Sequence, residues 1–253
     1  MHITFIGSGN VATHLGAAFK NAGHKIVQVY SRNAQNAALL AYHIGADAIE
    51  SLDNIDNNTD IFILSVSDDA IAGIAQQLAK YDKLIVHTSG ATSMYNLTAF
   101  TDKAGVFYPL QTFSKTKAVD FRSVPICIEG TDETITQTLK ELAQTISNKV
   151  YLVDSSQRRT LHLAAVFACN FPNYLYRVAQ GLLAEQNMDF DLLRPLILET
   201  AEKVQEQFPA DVQTGPAIRG DQNTILNHLQ MLKTEPELEQ LYRLLSQGII
   251  KKD

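Results

Sequence analysis

Residues 1–16, MHITFIGSGNVATHLG, contain the strongest indication of a fold in this chain. A short apolar strand, ITFI, runs directly into Gly7-Ser8-Gly9-Asn10-Val11-Ala12, and a helical pattern follows at once. This order of strand, glycine turn and helix is typical of a dinucleotide-binding unit, with Ala12 in the place of the third glycine. Gly7 permits the tight turn, and Gly9 lets the backbone approach a pyrophosphate. The helix N-terminus offers unpaired N–H groups to the phosphates.

The end of the second predicted strand, Lys25 to Tyr30, indicates which nucleotide is bound. An NAD-binding unit usually carries Asp or Glu there, which accepts hydrogen bonds from the ribose hydroxyls. This chain has Ser31-Arg32-Asn33 instead, with no carboxylate to repel a 2′-phosphate. Arg32 can pair with that phosphate, and Ser31 and Asn33 can hydrogen-bond to it. NADP(H) is therefore the predicted cofactor; the alternative is that Arg32 is a solvated surface arginine.

Strand and helix patterns continue to alternate up to residue 153. Ile61 to Val66, IFILSV, is a nearly continuous apolar run, as expected of a parallel strand buried on both faces. We expect Ser65-Val66-Ser67, at its end, to contact the cofactor at the carboxyl edge of the sheet. Ser89 follows the next strand, Leu84 to His87, and is a weaker candidate for a substrate contact.

Beyond Ser155 the strand patterns stop and long helical patterns replace them. These helices are predicted at residues 156–186, 189–207, 221–233 and 235–249. The predicted fold class is α/β, with an N-terminal doubly wound Rossmann domain and a C-terminal all-α domain. The first domain is predicted to span residues 1–154 and the second residues 155–253.

The first long helix carries the candidate catalytic residues. From Leu161 to Leu175 it is apolar on most sides, which is typical of a helix buried in a domain core or in a dimer interface. His162, Asn170 and Asn173 are polar exceptions on neighbouring faces, and Pro172 must disturb the helix. His162 is the candidate acid or base and Asn170 is the candidate for orienting the substrate. The alternative is that His162 is a hydrogen-bonded residue of the core.

A second unusual stretch is the loop from Thr214 to Asp221, TGPAIRGD. One interpretation is that Asp221 caps the next helix while Arg219 pairs with a carboxylate. The other is that Arg219 faces the cleft and binds an anionic substrate or a partner subunit. The sequence leaves both interpretations open.

Composition excludes several classes of protein. Of 253 residues, 45% are hydrophobic and 19% are charged, as in globular proteins, and the net charge of -6 gives no basic surface for nucleic acid or an anionic membrane. Cys127 and Cys169 lack metal-ligand spacing, so neither a metal site nor a disulfide scaffold is expected. No apolar run has the length of a membrane span. A strand that begins at residue 2 leaves no room for a signal peptide, so a cytoplasmic location is predicted.

These motifs together resemble a bacterial family in which a Rossmann-like NADP oxidoreductase domain precedes a helical domain of unknown function, DUF2520. The likeness covers the whole chain and rests on Gly7 to Ala12, His87 to Gly90, Tyr108 to Phe113, His162 to Asn170, and Thr214 to Asp221. The chain is more distantly similar to the group with a 6-phosphogluconate dehydrogenase type of C-terminal domain. That group includes pyrroline-5-carboxylate reductase, ketopantoate reductase and prephenate dehydrogenase. The resemblance implies a homodimer formed through the helical domain, with the substrate between the two domains.

The resemblance applies unevenly to the candidate catalytic residues. Hydroxyacid members of the group carry a catalytic Lys one turn before an Asn, whereas Val166 stands one turn before Asn170 here. Prephenate dehydrogenases have a His two turns before a small polar residue, which is the spacing of His162 and Asn170. The acidic neighbour of that His is replaced by Leu163. The resemblance thus implies a catalytic His162 in a different local environment.

The predicted function is that of an NADP(H)-dependent oxidoreductase acting on a small anionic carbonyl or hydroxy compound, such as a 2-oxo acid of the ketopantoate type, or on an imine. His162 is the predicted acid or base, and Ser89 and Arg219 are weaker candidates for substrate contacts. Two alternatives remain open. One is a sensor or scaffold that binds NADP(H) without turnover, and the other is a reductase whose hydride partner is a deazaflavin.

Overall fold

The central element of the structure is one eight-stranded sheet. The computed structural model describes residues 1–250 of the chain. The strands are β1 (His2–Ile6), β2 (Lys25–Tyr30), β3 (Asp47–Ile49), β4 (Ile61–Leu64), β5 (Leu84–His87), β6 (Ala104–Pro109), β7 (Ile126–Gly130) and β8 (Val150–Leu152). Their order in the sheet is β3-β2-β1-β4-β5-β6-β7-β8. Every neighbouring pair is parallel except β6 and β7, which are antiparallel.

The strand order reverses direction between β1 and β4. From β1 the chain proceeds outward to β2 and β3, and it then returns to β4 and continues on the other side. Ile6 at the end of β1 pairs with Tyr30 on one side and Leu64 on the other. Connections that diverge from this point leave a crevice at the carboxyl ends of β1 and β4, where ligands bind in such sheets. The predicted doubly wound Rossmann domain is confirmed.

Helices cover both faces of the sheet and continue beyond it. They are α1 (Asn10–Asn21), α2 (Ala34–Ile44), α3 (Ile71–Leu78), α4 (Tyr95–Thr98), α5 (Glu133–Gln144), α6 (Ser155–Ala165), α7 (Phe171–Ala184), α8 (Arg194–Glu206), α9 (Pro216–Arg219), α10 (Gln222–Met231) and α11 (Pro236–Ile250). The predicted helical C-terminal region is confirmed. Within residues 1–250, no helix combines the length and the apolar character that crossing a membrane requires.

The strands at the centre of the sheet are buried on both faces. Ile3, Phe5 and Ile6 of β1 are fully buried, and so is every residue of β4. Burying an Ile, Leu or Phe side chain contributes roughly 1.5–3 kcal/mol. Gly16 lets α1 lie close to the sheet and to α2, since a Cβ there would stand 3.1 Å from Ile44 Cδ1. The turn between β1 and α1 is therefore held between two packed elements.

The helix predicted at residues 156–186 is interrupted. A π-helical turn, Val166–Asn170, lies between α6 and α7, and Pro172 follows it in the first turn of α7. Proline has no N–H to donate and its ring collides with the carbonyl four residues earlier, so the helix widens there. The predicted disturbance by Pro172 is confirmed.

The apolar side chains of this helix are exposed among the described residues. Leu163, Phe167 and Phe171 are 58%, 63% and 46% exposed, and Asn170 and Asn173 are exposed as well. Residues 1–174 therefore do not bury this helix face by themselves, and its burial in a domain core stays a prediction. The alternative, a dimer interface, stays a prediction.

The chain divides into two compact units, one comprising Met1–Tyr174 and the other beginning at Leu175. The first unit contains the whole sheet with α1 to α6. In the second unit α9 packs against α10 and α11, and His228 of α10 shares a 2.8 Å hydrogen bond with the Tyr242 hydroxyl of α11. The predicted domain boundary at residue 154 lies at the start of α6, and that division of the chain stays a prediction.

Candidate functional site

The glycine turn after β1 requires glycine at one position for two independent reasons. Gly7 has a φ of 114°, and a Cβ there would lie 2.1 Å from the carbonyl oxygen of Ser65. Its N–H donates a 2.7 Å hydrogen bond to the Tyr30 carbonyl, which ties the turn to the end of β2. Gly9 differs, because no atom lies within 4 Å of the position a Cβ would take. The backbone at Gly9 is therefore open to an approaching group.

The N-terminus of α1 is free of the side-chain caps that other helices of this unit carry. Asn33 caps α2, Asp132 caps α5 and Asp154 caps α6, each accepting hydrogen bonds from first-turn N–H groups. The N-cap of α1 is Gly9, which has no side chain to offer. The N–H groups and positive dipole end of a twelve-residue helix are thus available to an anion. A dinucleotide pyrophosphate fits this open turn.

A cavity of about 480 Å³, which we call the nucleotide pocket, opens beside this turn. It is lined by Gly7, Ser8, Gly9, Asn10, Tyr30, Ser31, Arg32, Asn36, Leu52, Ser65, Val66, Ser67, Ala70, Ile74, Gln77 and Lys115. Two of these described residues are cationic, Arg32 and Lys115, and none is a carboxylate. Arg32 forms no ion pair or hydrogen bond with the described residues, while the Ser8 hydroxyl donates a 2.9 Å hydrogen bond to Ser31 Oγ. The pocket suits a phosphorylated ribose.

Most residues predicted to bind the cofactor line this pocket, and three do not: Val11, which lines the second cavity described below, Ala12 and Asn33. Asn33 is absent from the lining, because its side-chain oxygen accepts the 3.0 Å hydrogen bond from Asn36 N–H that caps α2. Asn36 lines the pocket in its place. Ala12 is fully buried under α1, where its small side chain lets the helix pack on the sheet. Lys115 was not among the predicted residues, since nothing in the local sequence connects it with β1.

A second cavity, about 320 Å³, meets the first at the glycine turn. This His162 cleft is lined by Gly9, Asn10, Val11, Ser65, Val66, Asp68, Thr88, Ser89, Gly90, Ala91, Tyr108 and His162. It shares four lining residues, Gly9, Asn10, Ser65 and Val66, with the nucleotide pocket. A molecule that crosses the turn can therefore reach both cavities. Among the predicted residues, the structure brings His162 and Ser89 together here.

His162 is held against Tyr108 and Gly90. The Tyr108 hydroxyl lies 3.2 Å from His162 Nδ1, within hydrogen-bond distance. A Cβ at Gly90 would stand 2.6 Å from that nitrogen and 2.8 Å from Tyr108 Cζ, so only glycine leaves room for both rings. Burial raises the pKa of Tyr108 to about 12, helped by the nearby Cys127 thiol, so the hydroxyl stays protonated at neutral pH. Tyr108 and Gly90 belong to motifs quoted above, but the sequence did not indicate their contact with His162.

Four residues anchor α6, and with it His162, to the sheet; we call them the Arg158 network. Arg158 lies one turn before His162 and is fully buried. Its guanidinium pairs with Glu129 of β7 and donates a 2.6 Å hydrogen bond to the Thr92 carbonyl and a 3.1 Å bond to Ser155 Oγ. The Ser155 hydroxyl in turn donates to Glu129 at 2.8 Å. The network joins β7, the loop after β5 and the start of α6.

His87 is fully buried behind the cleft and does not line it. Burial, together with the positive charge of Arg158, lowers the pKa of His87 to about 3, so its ring is neutral at physiological pH. Nδ1 accepts a 3.2 Å hydrogen bond from the N–H of Ser89. The Ser89 hydroxyl accepts from the N–H groups of Ala91 and Thr92 and donates to Thr92 Oγ1 at 3.0 Å. Both side chains therefore shape the turn that forms one wall of the cleft.

Two residues predicted for catalysis or substrate binding line neither cavity. Asn170 is exposed at the end of the π-helical turn. Arg219, in the second unit, makes two hydrogen bonds of 2.9 and 2.6 Å to Asp221 Oδ2. Asp221 holds the N-cap position of α10 without a side-chain hydrogen bond to it. The catalytic role of Asn170 and the substrate contact of Arg219 stay predictions.

Two family models match the chain. The model described as NADP oxidoreductase, coenzyme F420-dependent, matches residues 2–90, and the model described as a domain of unknown function, DUF2520, matches residues 124–249. A Bacteroides fragilis protein assigned as an NADP oxidoreductase is 44% identical, with 99% of this chain and 98% of that chain covered and a TM-score of 0.94. The chain belongs to this NADP oxidoreductase family. It is an NADP-dependent enzyme, as the sequence predicts, and the open, cation-lined pocket fits that cofactor.

More distant solved structures share the fold of the oxidoreductase. An imine reductase from Myxococcus stipitatus in complex with NADP⁺ is 15% identical, with a TM-score of 0.68 over 99% of this chain and 92% of that chain. A prephenate dehydrogenase from A. aeolicus, also 15% identical, has a TM-score of 0.58 over 99% of this chain and 96% of that chain. No curated protein matches the sequence. The resemblance on which the sequence-based prediction rested is confirmed.

Proposed function

We propose that this oxidoreductase reduces a small carbonyl compound of the 2-oxo acid type, or an imine, with His162 as its acid and base. One observation carries the proposal. The His162 ring lines a cleft that meets the glycine turn and is held there by Tyr108 and Gly90. It is the only imidazole among the described residues that line either cavity.

The cofactor's position follows from charge and open backbone. In the proposal, Gly9 and the uncapped N-terminus of α1 receive the pyrophosphate. Ser31 and Arg32 receive the 2′-phosphate, since Arg32 has no partner among the described residues and can form a bidentate pair. Ser65, Val66 and Ser67, at the end of β4, pack beside the dinucleotide on its way toward the His162 cleft.

The chemistry of the bound cofactor is hydride transfer at the nicotinamide ring. The residues of this chain position the substrate and supply or remove a proton. In the proposed arrangement His162 Nδ1–H donates its hydrogen bond to the Tyr108 oxygen in both charge states of the ring. Nε2 is then the nitrogen that gains and loses the proton, giving it to the carbonyl oxygen or imine nitrogen as hydride reaches the adjacent carbon.

The His162 cleft itself offers no cation to an anionic substrate among its described lining residues. None of the described residues that line the cleft is Lys or Arg, and one of them, Asp68, carries a carboxylate.

The enzyme is further proposed to be a cytoplasmic homodimer, with the exposed Leu163, Phe167 and Phe171 as part of the surface for a second copy.

The experiment combines substrate discovery with a change at His162. NADPH oxidation is followed in the presence of a panel of 2-oxo acids and cyclic imines. A parallel panel offers coenzyme F420, because the family model matching residues 2–90 is described as dependent on it. With any active pair, His162→Ala should lower turnover about 10²–10⁴-fold, while the Kd for NADPH, measured by fluorescence, stays within about twofold.

Tyr108→Phe is the companion variant. It removes the oxygen that accepts the hydrogen bond from His162 Nδ1–H, and it keeps the aromatic ring. It should shift the pH dependence of turnover while leaving NADPH binding unchanged. Unaltered turnover in His162→Ala contradicts the proposed role of His162. Tight NADPH binding with no turnover of any compound supports the sensor alternative instead.

A further inference from the structure

The segment that follows β6 returns across the sheet to α1. It continues the Tyr108 to Phe113 motif, and we call residues 113–117 the strap. Asn10 Nδ2 donates a 2.8 Å hydrogen bond to the Phe113 carbonyl, and His14 Nε2 donates a 2.9 Å bond to the Ser114 carbonyl. The His14 and Phe113 rings stack, with centroids 5.0 Å apart. Three contacts thus hold the strap on the helix that begins at the glycine turn.

The strap ends in a tight turn that presents one lysine to the nucleotide pocket. Lys117 N–H donates to the Ser114 carbonyl at 3.2 Å, and the Ser114 and Thr116 hydroxyls lie 2.8 Å apart. Lys115, at the second position of this turn, lines the pocket, whereas Lys117 does not. The chain thus offers two lysines on one strap, only one of which faces the site.

The charges in this pocket are unbalanced. Lys115 and Arg32 both line it, no described lining residue is acidic, and neither cation has an ion pair with the described residues. Two like charges that share one cavity repel each other, so the arrangement gains from an anion placed between them. A dianionic phosphate monoester satisfies both.

The position of Lys115 distinguishes between the two phosphate groups of the dinucleotide. The glycine turn, which would receive the pyrophosphate, borders both the nucleotide pocket and the His162 cleft. Lys115 borders the nucleotide pocket alone, as Arg32 and Ser31 do. It therefore lies toward the adenosine end.

We propose that Lys115 is a specificity-determining residue for NADP(H), and that its ammonium group pairs with the 2′-phosphate together with Arg32. The strap follows β6 in the chain, and its hydrogen bonds to Asn10 and His14 hold it where Lys115 lines the adenosine end of the site. The inference rests on the proposed placement of the 2′-phosphate at Ser31 and Arg32. Lys115 makes no covalent or proton-transfer step, so its effect is on binding.

The test measures the Kd values of NADPH and NADH by fluorescence titration, which needs no substrate. Lys115→Gln keeps a polar side chain of nearly the same length and removes the charge, and it should raise the Kd of NADPH about fivefold with less than a twofold change for NADH. Lys115→Arg should restore most of the NADPH affinity. Lys117→Gln, on the same strap, is the matched control and should change neither Kd.

The anchor supplies a second, independent variant. His14→Phe keeps the stacked ring and removes the hydrogen bond to Ser114, so it should weaken NADPH selectively. In the double variant with Lys115→Gln the loss should be less than the product of the two single losses, because both act on the same contact.

Three outcomes would overturn the inference. The first is an unchanged NADPH affinity in Lys115→Gln. The second is an equal loss of affinity for NADPH and NADH in that variant, which indicates a contact with the pyrophosphate. The third is an equal loss of NADPH affinity in Lys117→Gln, which indicates a non-specific electrostatic effect of positive charge on the strap. Arg32→Gln tests the proposed position of the 2′-phosphate at Arg32 separately from the role of Lys115. If Arg32→Gln spares NADPH binding while Lys115→Gln weakens it, the 2′-phosphate lies elsewhere and Lys115 still selects it.

Discussion

The nucleotide pocket and the Arg158 network use positive charge in opposite ways. Arg32 and Lys115 stand exposed on the wall of a cavity and have no ion pair with the described residues. Arg158 is fully buried and is paired with Glu129, whose side chain is 16% exposed, and with two further acceptors. The cations of the nucleotide pocket are available to a ligand, whereas the cation of the Arg158 network is paired within the chain.

The difference shows how to tell a binding charge from a structural one. Moving a guanidinium out of water costs several kcal/mol unless it gains a carboxylate and further hydrogen bonds, and the Arg158 network supplies both. An exposed guanidinium bears no such cost and stays available to an incoming phosphate. The presence or absence of partners within the chain, rather than residue type, separates the two roles.

The largest expected effect comes from breaking the Arg158 network on one side. Arg158→Met leaves Glu129 partly buried without its cation, and it should lower the free energy of unfolding by about 3–5 kcal/mol. Urea-induced unfolding followed by circular dichroism measures this. The double variant Arg158→Met with Glu129→Gln is the control and should recover much of the loss. A loss below about 1 kcal/mol in the single variant would show that the network does not stabilise the fold.

An intermediate effect concerns the neutral histidine beside the network. The pKa of His87 is about 3 in the folded chain against 6.5 for an ordinary histidine, so the unfolded chain binds the extra proton first. The contribution of His87 to the free energy of unfolding is therefore fully present above pH 6.5. It decreases as the pH falls toward 3, and about 2 kcal/mol of it is lost at about pH 5. His87→Asn keeps an acceptor for Ser89 N–H and removes the titration. Unfolding free energies at about pH 7.5 and 5 should then differ less than in the wild type; an identical pH dependence would contradict this account of His87.

The smallest effect on the fold should come from the exposed arginine. Arg32→Ala removes no partner within the described chain, so its free energy of unfolding should stay within about 0.5 kcal/mol of the wild type. Its NADPH affinity should fall about tenfold, which is about 1.4 kcal/mol, while NADH binding changes little. Calorimetric titration measures both. A variant that is unstable but binds NADPH normally would reverse the assignment of the two arginines.

Local sequence patterns predicted the parts of the molecule that local chemistry determines. The Gly7 to Ala12 turn, the buried β4 run and the disturbance by Pro172 each depend on a few consecutive residues, and each was predicted correctly. The Tyr108–His162 contact joins residues 54 apart in sequence, and the Arg158–Glu129 pair joins residues 29 apart. No periodicity indicates such pairs, because the order of strands in the sheet decides which of them meet.

The same limit applied to the apolar helix that carries His162. Its composition indicated that another surface covers it, and residues 1–174 leave Leu163 and Phe167 exposed, so the sequence indicated burial without indicating the partner. Asn33 is a milder case. Its place beside Arg32 predicted a phosphate contact, but an Asn at the start of a helix also serves as a cap, and here its oxygen does so. The cap uses only the amide oxygen, and the predicted phosphate contact of Asn33 stays a prediction.

The π-helical turn Val166–Asn170 also changes how distances along its helix are to be counted. A π turn takes up one residue more than an α turn, so every side chain that follows it is displaced by about 100° around the axis. The eight-residue interval from His162 to Asn170 thus no longer corresponds to two stacked turns. Relative to an unbroken α-helix, the residue that occupies a given face beyond the π turn lies one position later in the sequence. Side chains that match by sequence number beyond it then face in different directions.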